Sequence, residues 1–118
     1  MQPKNRKIQG ILQNYQRKDE KMTGADAIIK CLEEEGVEYV FGYPGVAICP
    51  FYNSILSSPV ETVLIRTEQN AAHAASGFFR VSGKVGVCAV TSGPGATNVL
   101  TGIATAFADS IPLICITG

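Results

Sequence analysis

Apolar residues arrive in two rhythms along this chain. In "TGADAIIKCLEEEG", residues 23–36, Ala25, Ile28, Ile29 and Leu32 recur at helical spacing. Thr23 and Asp26 stand at capping-box distance, and Gly36 supplies a C-terminal stop, so a helix is predicted there. Short apolar runs then alternate with further helical stretches. "VEYVF" (37–41), "VETVLIR" (60–66), "VGVCAVT" (85–91) and "IPLICIT" (111–117) read as strands. "CPFYNSILSS", "QNAAHAASGFFRVSG" (69–83) and "ATNVLTGIATAFADS" (96–110) read as helices, with Pro50 tolerated in a first turn and Gly83 ending the second.

The strand segments are mostly continuous apolar runs, with Val63-Leu64-Ile65 reading as a buried strand. Such runs mark parallel strands covered on both faces. Strands alternating with helices imply right-handed crossovers. The predicted fold is α/β: a doubly wound, mostly parallel sheet with helices on both faces. Ligands of such sheets sit beyond the carboxyl ends of the strands. Three unusual segments fall at those ends: Gly42-Tyr43-Pro44-Gly45, Thr67-Glu68-Gln69 and Ser92-Gly93-Pro94-Gly95.

Composition narrows the function classes. With 118 residues, 46% apolar and 17% charged, the chain is a single globular unit and not a disordered one. Net charge is zero but unevenly spread. Residues 1–21 carry six basic and two acidic residues, and the remainder four basic and eight acidic. Residues 1–21 therefore read as a basic, disordered extension, and residues 22–118 as the domain; Met22 offers a second start codon. A globular part at −4 without a basic stripe argues against nucleic acid as a partner. No apolar run is long enough to span a membrane, and the N-terminus lacks a secretory h-region. Cysteines at 31, 49, 88 and 115 form no C-x-x-C, and one histidine, His73, is present. That spacing argues against zinc and for a reducing, cytoplasmic setting.

The candidate chemistry admits two readings at several positions. "TSGPGATN" (91–98) can cradle a ligand at a helix N-terminus or simply make a tight turn; no P-loop pattern occurs. Asn98 either bonds locally or faces a ligand. His73, among alanines, reads as a packing residue, and nothing pairs with it as a hydrolase triad. Gly45, without a side chain, lets a flat ligand approach or closes a turn. Glu68 is either a helix-start acid favoured by the dipole, or a partly desolvated carboxyl able to hold a proton and donate a hydrogen bond.

Taken together and in order, "GADAIIKCLEEEGVEYVFGYPG", "RTEQNAAHAASGFFRVSGKVGVCAVTSGPGATN" and "TGIATAFADSIPLICITG" resemble the N-terminal pyrimidine-binding domain of thiamine-diphosphate enzymes. More narrowly, they resemble the large catalytic subunit of acetolactate synthase, over nearly all of residues 22–118. The resemblance implies that Glu68 is the cofactor-activating acid. It would bond a ring nitrogen of the aminopyrimidine and favour the imino form that deprotonates the thiazolium carbon. That carbon would then attack pyruvate, release carbon dioxide and pass a two-carbon unit to a second 2-keto acid. Pro44 and Gly45 match the turn against the pyrimidine, and Pro94 and Asn98 match the loop and helix start beside it. Gln69 and His73 lie in the matching helix without an assigned step.

Two departures from the family pattern stand out. The family commonly has Gly-Gly after the proline, where this chain has Gly45-Val46; the added bulk bears on substrate preference and inhibitor response. The family's GDG motif, which grips diphosphate and Mg2+, belongs to a C-terminal domain, and FAD, where used, to a middle domain; no GDG occurs in these residues. The resemblance further implies a homodimer or tetramer with a shared site, and a regulatory small subunit. The isolated chain is expected to be inactive. Other thiamine-diphosphate enzymes (a 2-keto acid oxidase or decarboxylase, an oxalyl-CoA decarboxylase) and a non-catalytic homologue that pairs with full-length subunits remain alternatives.

Overall fold

The computed structural model describes residues 21–118, so the expectation of a disordered extension over 1–21 lies almost wholly outside the described residues. Helix α1 spans Gly24–Glu34, strand β1 Tyr39–Tyr43, a short 3-10 turn Val46–Ile48, and α2 Cys49–Ile55. Strand β2 (Glu61–Leu64), α3 (Glu68–Ser82), β3 (Gly86–Val90), α4 (Pro94–Ala108) and β4 (Leu113–Thr117) follow. The four strands form one all-parallel sheet in the order β2-β1-β3-β4.

Helix α1 starts where its sequence provides for it. Thr23 accepts from the Asp26 amide at 3.2 Å, and Asp26 accepts from the Thr23 amide at 2.9 Å. This reciprocal capping satisfies donors that a helix start otherwise leaves open. Replacing Thr23 with alanine should cost about 1 kcal/mol, read as a lower urea midpoint with unchanged slope. Asp26 also accepts from the Ser54 hydroxyl at 2.6 Å, which ties α1 to α2. That bond, followed by those from Thr23, holds the Asp26 carboxyl below its ordinary 3.8. A depressed carboxyl contributes stability above its unfolded value and loses it as pH falls through the folded one. The tie therefore weakens only in strong acid.

Alternation along β3 builds two cores. Val87 and Ala89 face α1 and α2, among Ile29, Leu32, Phe51 and Ile55. Cys88 and Val90 face the other side, among Ala71, Ala72, Ala75 and Val99 of α3 and α4. All five residues of β3 are buried, as a central parallel strand requires. The alanines of α3 thus serve close packing. Opposite them, a Cβ on Gly102 of α4 would stand 2.5 Å from that of Ala72, so the two helices meet almost backbone to backbone.

All four strands differ from the sequence reading, β3 only by one residue at each end. β1 begins at Tyr39 rather than Val37, because the Val37 amide is spent on Leu32 O at 3.0 Å behind helix α1. It continues through Gly42 and Tyr43, which pair on both sides with β2 and β3 or with β3 alone. β2 is shorter than 60–66 and is not buried: Leu64 is 64% exposed, and Val63 and Ile65 are half-buried. The strand order explains this, since β2 is an edge strand with one neighbour. β4 starts at Leu113 because the Ile111 amide caps α4 by donating to Ala106 O at 2.8 Å.

Candidate functional site

All four strands point the same way, so the turns that follow them open on one edge of the sheet. Two of those turns close on one threonine. Thr91, half-buried, follows directly on β3. A Cβ on Gly45, in the turn after β1, would stand 2.5 Å from Thr91 Cβ. A Cβ on Gly95, in the first turn of α4, would stand 2.9 Å from Thr91 Cγ2. Any side chain at either position would collide with Thr91. Only glycine lets the two turns close on it and present bare backbone to the sheet edge.

Glu68 reaches the same place from α3. It is the first residue of that helix, behind Thr67 in extended conformation. Residues 68, 71, 72 and 75 share one helical stripe. Ala71, Ala72 and Ala75 are fully buried against the sheet. Glu68, half-buried, continues the stripe just past the strand ends. Its Oε2 accepts from Asn98 Nδ2 on α4 at 3.2 Å. Its Oε1 lies 3.7 Å from where a Gly95 Cβ would stand. Glu68 is a helix-start acid, in the place where the helix dipole favours a carboxylate, and one of its oxygens is held by the Asn98 amide.

The remaining sequence-predicted residues divide clearly. Gly45 is half-buried and Pro44 exposed on the first turn; Pro94 opens α4 and is exposed; Asn98 is exposed apart from its bond to Glu68. Gln69 is half-buried beside Glu68, whereas His73 is exposed and about 7 Å further along α3, away from the edge. Arg80 and Asp109 form an exposed ion pair between the far ends of α3 and α4. Val46 opens the 3-10 turn beyond Gly45 and is 91% exposed. Thr91 and Gly95 carry the cradle; both lie in the TSGPGATN turn that the sequence marks, where neither has a role of its own. Their available signal was a β-branched polar residue ending an apolar run one step before a Ser-Gly-Pro-Gly turn.

An acid and an amide thus meet at a glycine-lined edge of a parallel sheet. Residues 22–118 match the family described as thiamine pyrophosphate enzyme, N-terminal TPP binding domain, and the chain belongs to that family. Its relatives include acetolactate synthase large subunits. It is 62% identical over 97 residues to the "Probable acetolactate synthase large subunit" of Methanocaldococcus jannaschii, covering 82% of this chain and 16% of that protein. It is 52% identical over 99 residues to the acetolactate synthase large subunit of Haemophilus influenzae, covering 83% of this chain and 17% of that protein. With the large subunit of Corynebacterium glutamicum the identity is 55% over 100 residues, 84% of this chain and 16% of the relative. The chain thus spans about a sixth of the length of these relatives.

Proposed function

We propose that residues 22–118 supply the pyrimidine-binding half of an acetolactate synthase active site, with Glu68 as its acid. The observation that carries this reading is the Glu68–Asn98 bond at the edge where the Gly45 and Gly95 turns close on Thr91. The residues fit the cofactor's aminopyrimidine. A carboxyl oxygen would face a ring nitrogen, and the Gly45 and Gly95 turns would bring backbone beside the ring. Thiamine diphosphate, when bound, supplies the carbon centre that decarboxylates a 2-keto acid and carries the two-carbon fragment.

The chain's own residues have simpler tasks. Glu68 would offer its Oε1 to a ring nitrogen of the bound cofactor and pass a proton there. Asn98 fixes the other oxygen, so the carboxyl plane stays aimed at the edge. Gly45 and Pro44 form one wall, and Gly95 and Pro94 the other. In the same proposal the substrates are pyruvate and a second 2-keto acid. Mg2+ and the diphosphate are held by residues outside this segment, as is FAD where it is used. The working assembly is a homodimer or tetramer with a regulatory small subunit, in the cytoplasm. No helix among the described residues is long and apolar enough to cross a membrane, and all four cysteines are free thiols.

The test is a hybrid large subunit in which residues 22–118 replace the matching segment of the Methanocaldococcus jannaschii protein. Given pyruvate, thiamine diphosphate and Mg2+, it should form acetolactate, while the 118-residue chain alone should release no carbon dioxide above background. A folded, cofactor-bound hybrid that yields only acetaldehyde would point instead to a simple decarboxylase segment.

A further inference from the structure

Outside the cradle, the sheet holds a second pair of reactive groups that the proposed chemistry does not use. Cys88 and Cys115 are direct register partners on the adjacent parallel strands β3 and β4. Register partners project to the same face of a sheet. Here that face is the one covered by α3 and α4, where Cys115 packs against the cluster containing Cys88. Both thiols are free. Their access differs: Cys88 in β3 is fully buried, and Cys115 in β4 is half-buried. Adjacent strands lie about 4.8 Å apart, within the Cα separation of about 4.4–6.8 Å that a disulfide spans.

We propose that Cys88 and Cys115 form a reversible dithiol–disulfide site that reacts with small-molecule disulfides. Cys115, the accessible member, is the attacking thiol. Its thiolate displaces one thiolate from the incoming disulfide and becomes a mixed disulfide. Cys88 then loses its proton, attacks the Cys115 sulfur and expels the second thiolate. Two protein thiols are oxidised by two electrons, and one small disulfide is reduced to two thiols. The side-chain arrangement suits this order. The neighbouring Cys88 thiol holds the Cys115 thiol below its usual range. The Cys115 sulfur beside it, together with burial, pushes the Cys88 thiol up, so it keeps its proton until the mixed disulfide forms. The product would cross-link β3 to β4 three residues before Thr91, beneath the cradle.

The experiment uses the full 118-residue chain with Cys31→Ser and Cys49→Ser, two exposed positions, so that only the paired thiols remain. The folded protein is equilibrated with oxidised glutathione, acid-quenched, denatured, alkylated and weighed. The expected product carries neither glutathione nor alkyl groups, is lighter by two hydrogens, and regains two alkylation sites after dithiothreitol. A further Cys88→Ser change should trap glutathione on Cys115 as a lasting mixed disulfide. Two alkylated thiols after native oxidation would overturn the proposal. So would disulfide formation only in denaturing urea, or a Cys88→Ser chain that takes up no glutathione while circular dichroism shows it folded.

Discussion

Replacing Glu68 with glutamine in the hybrid subunit should lower kcat by roughly 100- to 10,000-fold, the range spanned by positioned general acids and bases. Glutamine keeps the shape and still offers Asn98 an oxygen, so the 3.2 Å contact between α3 and α4 can persist. What it cannot do is hold a transferable proton at the sheet edge. The fold should tolerate the change, because Glu68 is only half-buried and its stripe is packed by alanines rather than by the carboxylate. Thermal midpoints of the two hybrids should therefore agree within a few degrees while turnover collapses. Asn98→Ala should act more mildly, since it removes the aim of the carboxyl and not the carboxyl itself. Equal turnover in Glu68→Gln and the parent would remove Glu68 from the chemistry.

The second large effect is structural. Gly42→Ala should destabilise the domain by about 2–5 kcal/mol, from forced overpacking and a lost buried hydrogen bond. Gly42 lies in β1 with Leu64 of β2 on one side and Ala89 of β3 on the other. A Cβ there would collide with the Ala89 carbonyl oxygen and the Tyr52 hydroxyl. Those two groups are already bonded: Tyr52 Oη donates to Ala89 O at 2.9 Å, joining α2 to the sheet. Burial pushes the Tyr52 hydroxyl up to about 12, so it stays a donor throughout the neutral range. Domains of this kind are stable by only about 5–15 kcal/mol, so a loss of that size should be plain in urea unfolding. Adding Tyr52→Phe clears one of the two obstacles. The double variant should therefore be more stable than the sum of the single changes predicts.

Much of this was legible in the residues, for reasons that particular elements make clear. The Thr23/Asp26 spacing announced a helix start because capping is a local, three-residue interaction. The alternation of apolar runs with helical stretches announced a parallel sheet, and the sheet in turn placed three odd turns on one edge. That ordering, and not any one motif, brought Glu68 and Asn98 together across thirty residues. Strand limits were harder. Val37 is apolar and β-compatible, yet its amide belongs to the end of α1. Gly42 reads as a turn residue, yet pairing on both sides keeps it in β1. Val63-Leu64-Ile65 reads as buried, but an apolar run does not reveal whether its strand has one neighbour or two. Thr91 is only the first letter of TSGPGATN in the sequence, because its own role exists only in three dimensions. It is the residue against which two glycine turns, fifty positions apart, both close.

The most direct measurement is proton exchange at the thiazolium carbon of thiamine diphosphate bound to the hybrid, followed by quenched-flow NMR in deuterated buffer without substrate. It reads cofactor activation apart from keto-acid binding and product release. If Glu68 activates the cofactor, exchange in the parent hybrid outruns turnover and falls by at least about 100-fold in Glu68→Gln, with the cofactor still bound in both. Equal exchange rates in the two proteins would contradict the assignment of Glu68 as the activating acid.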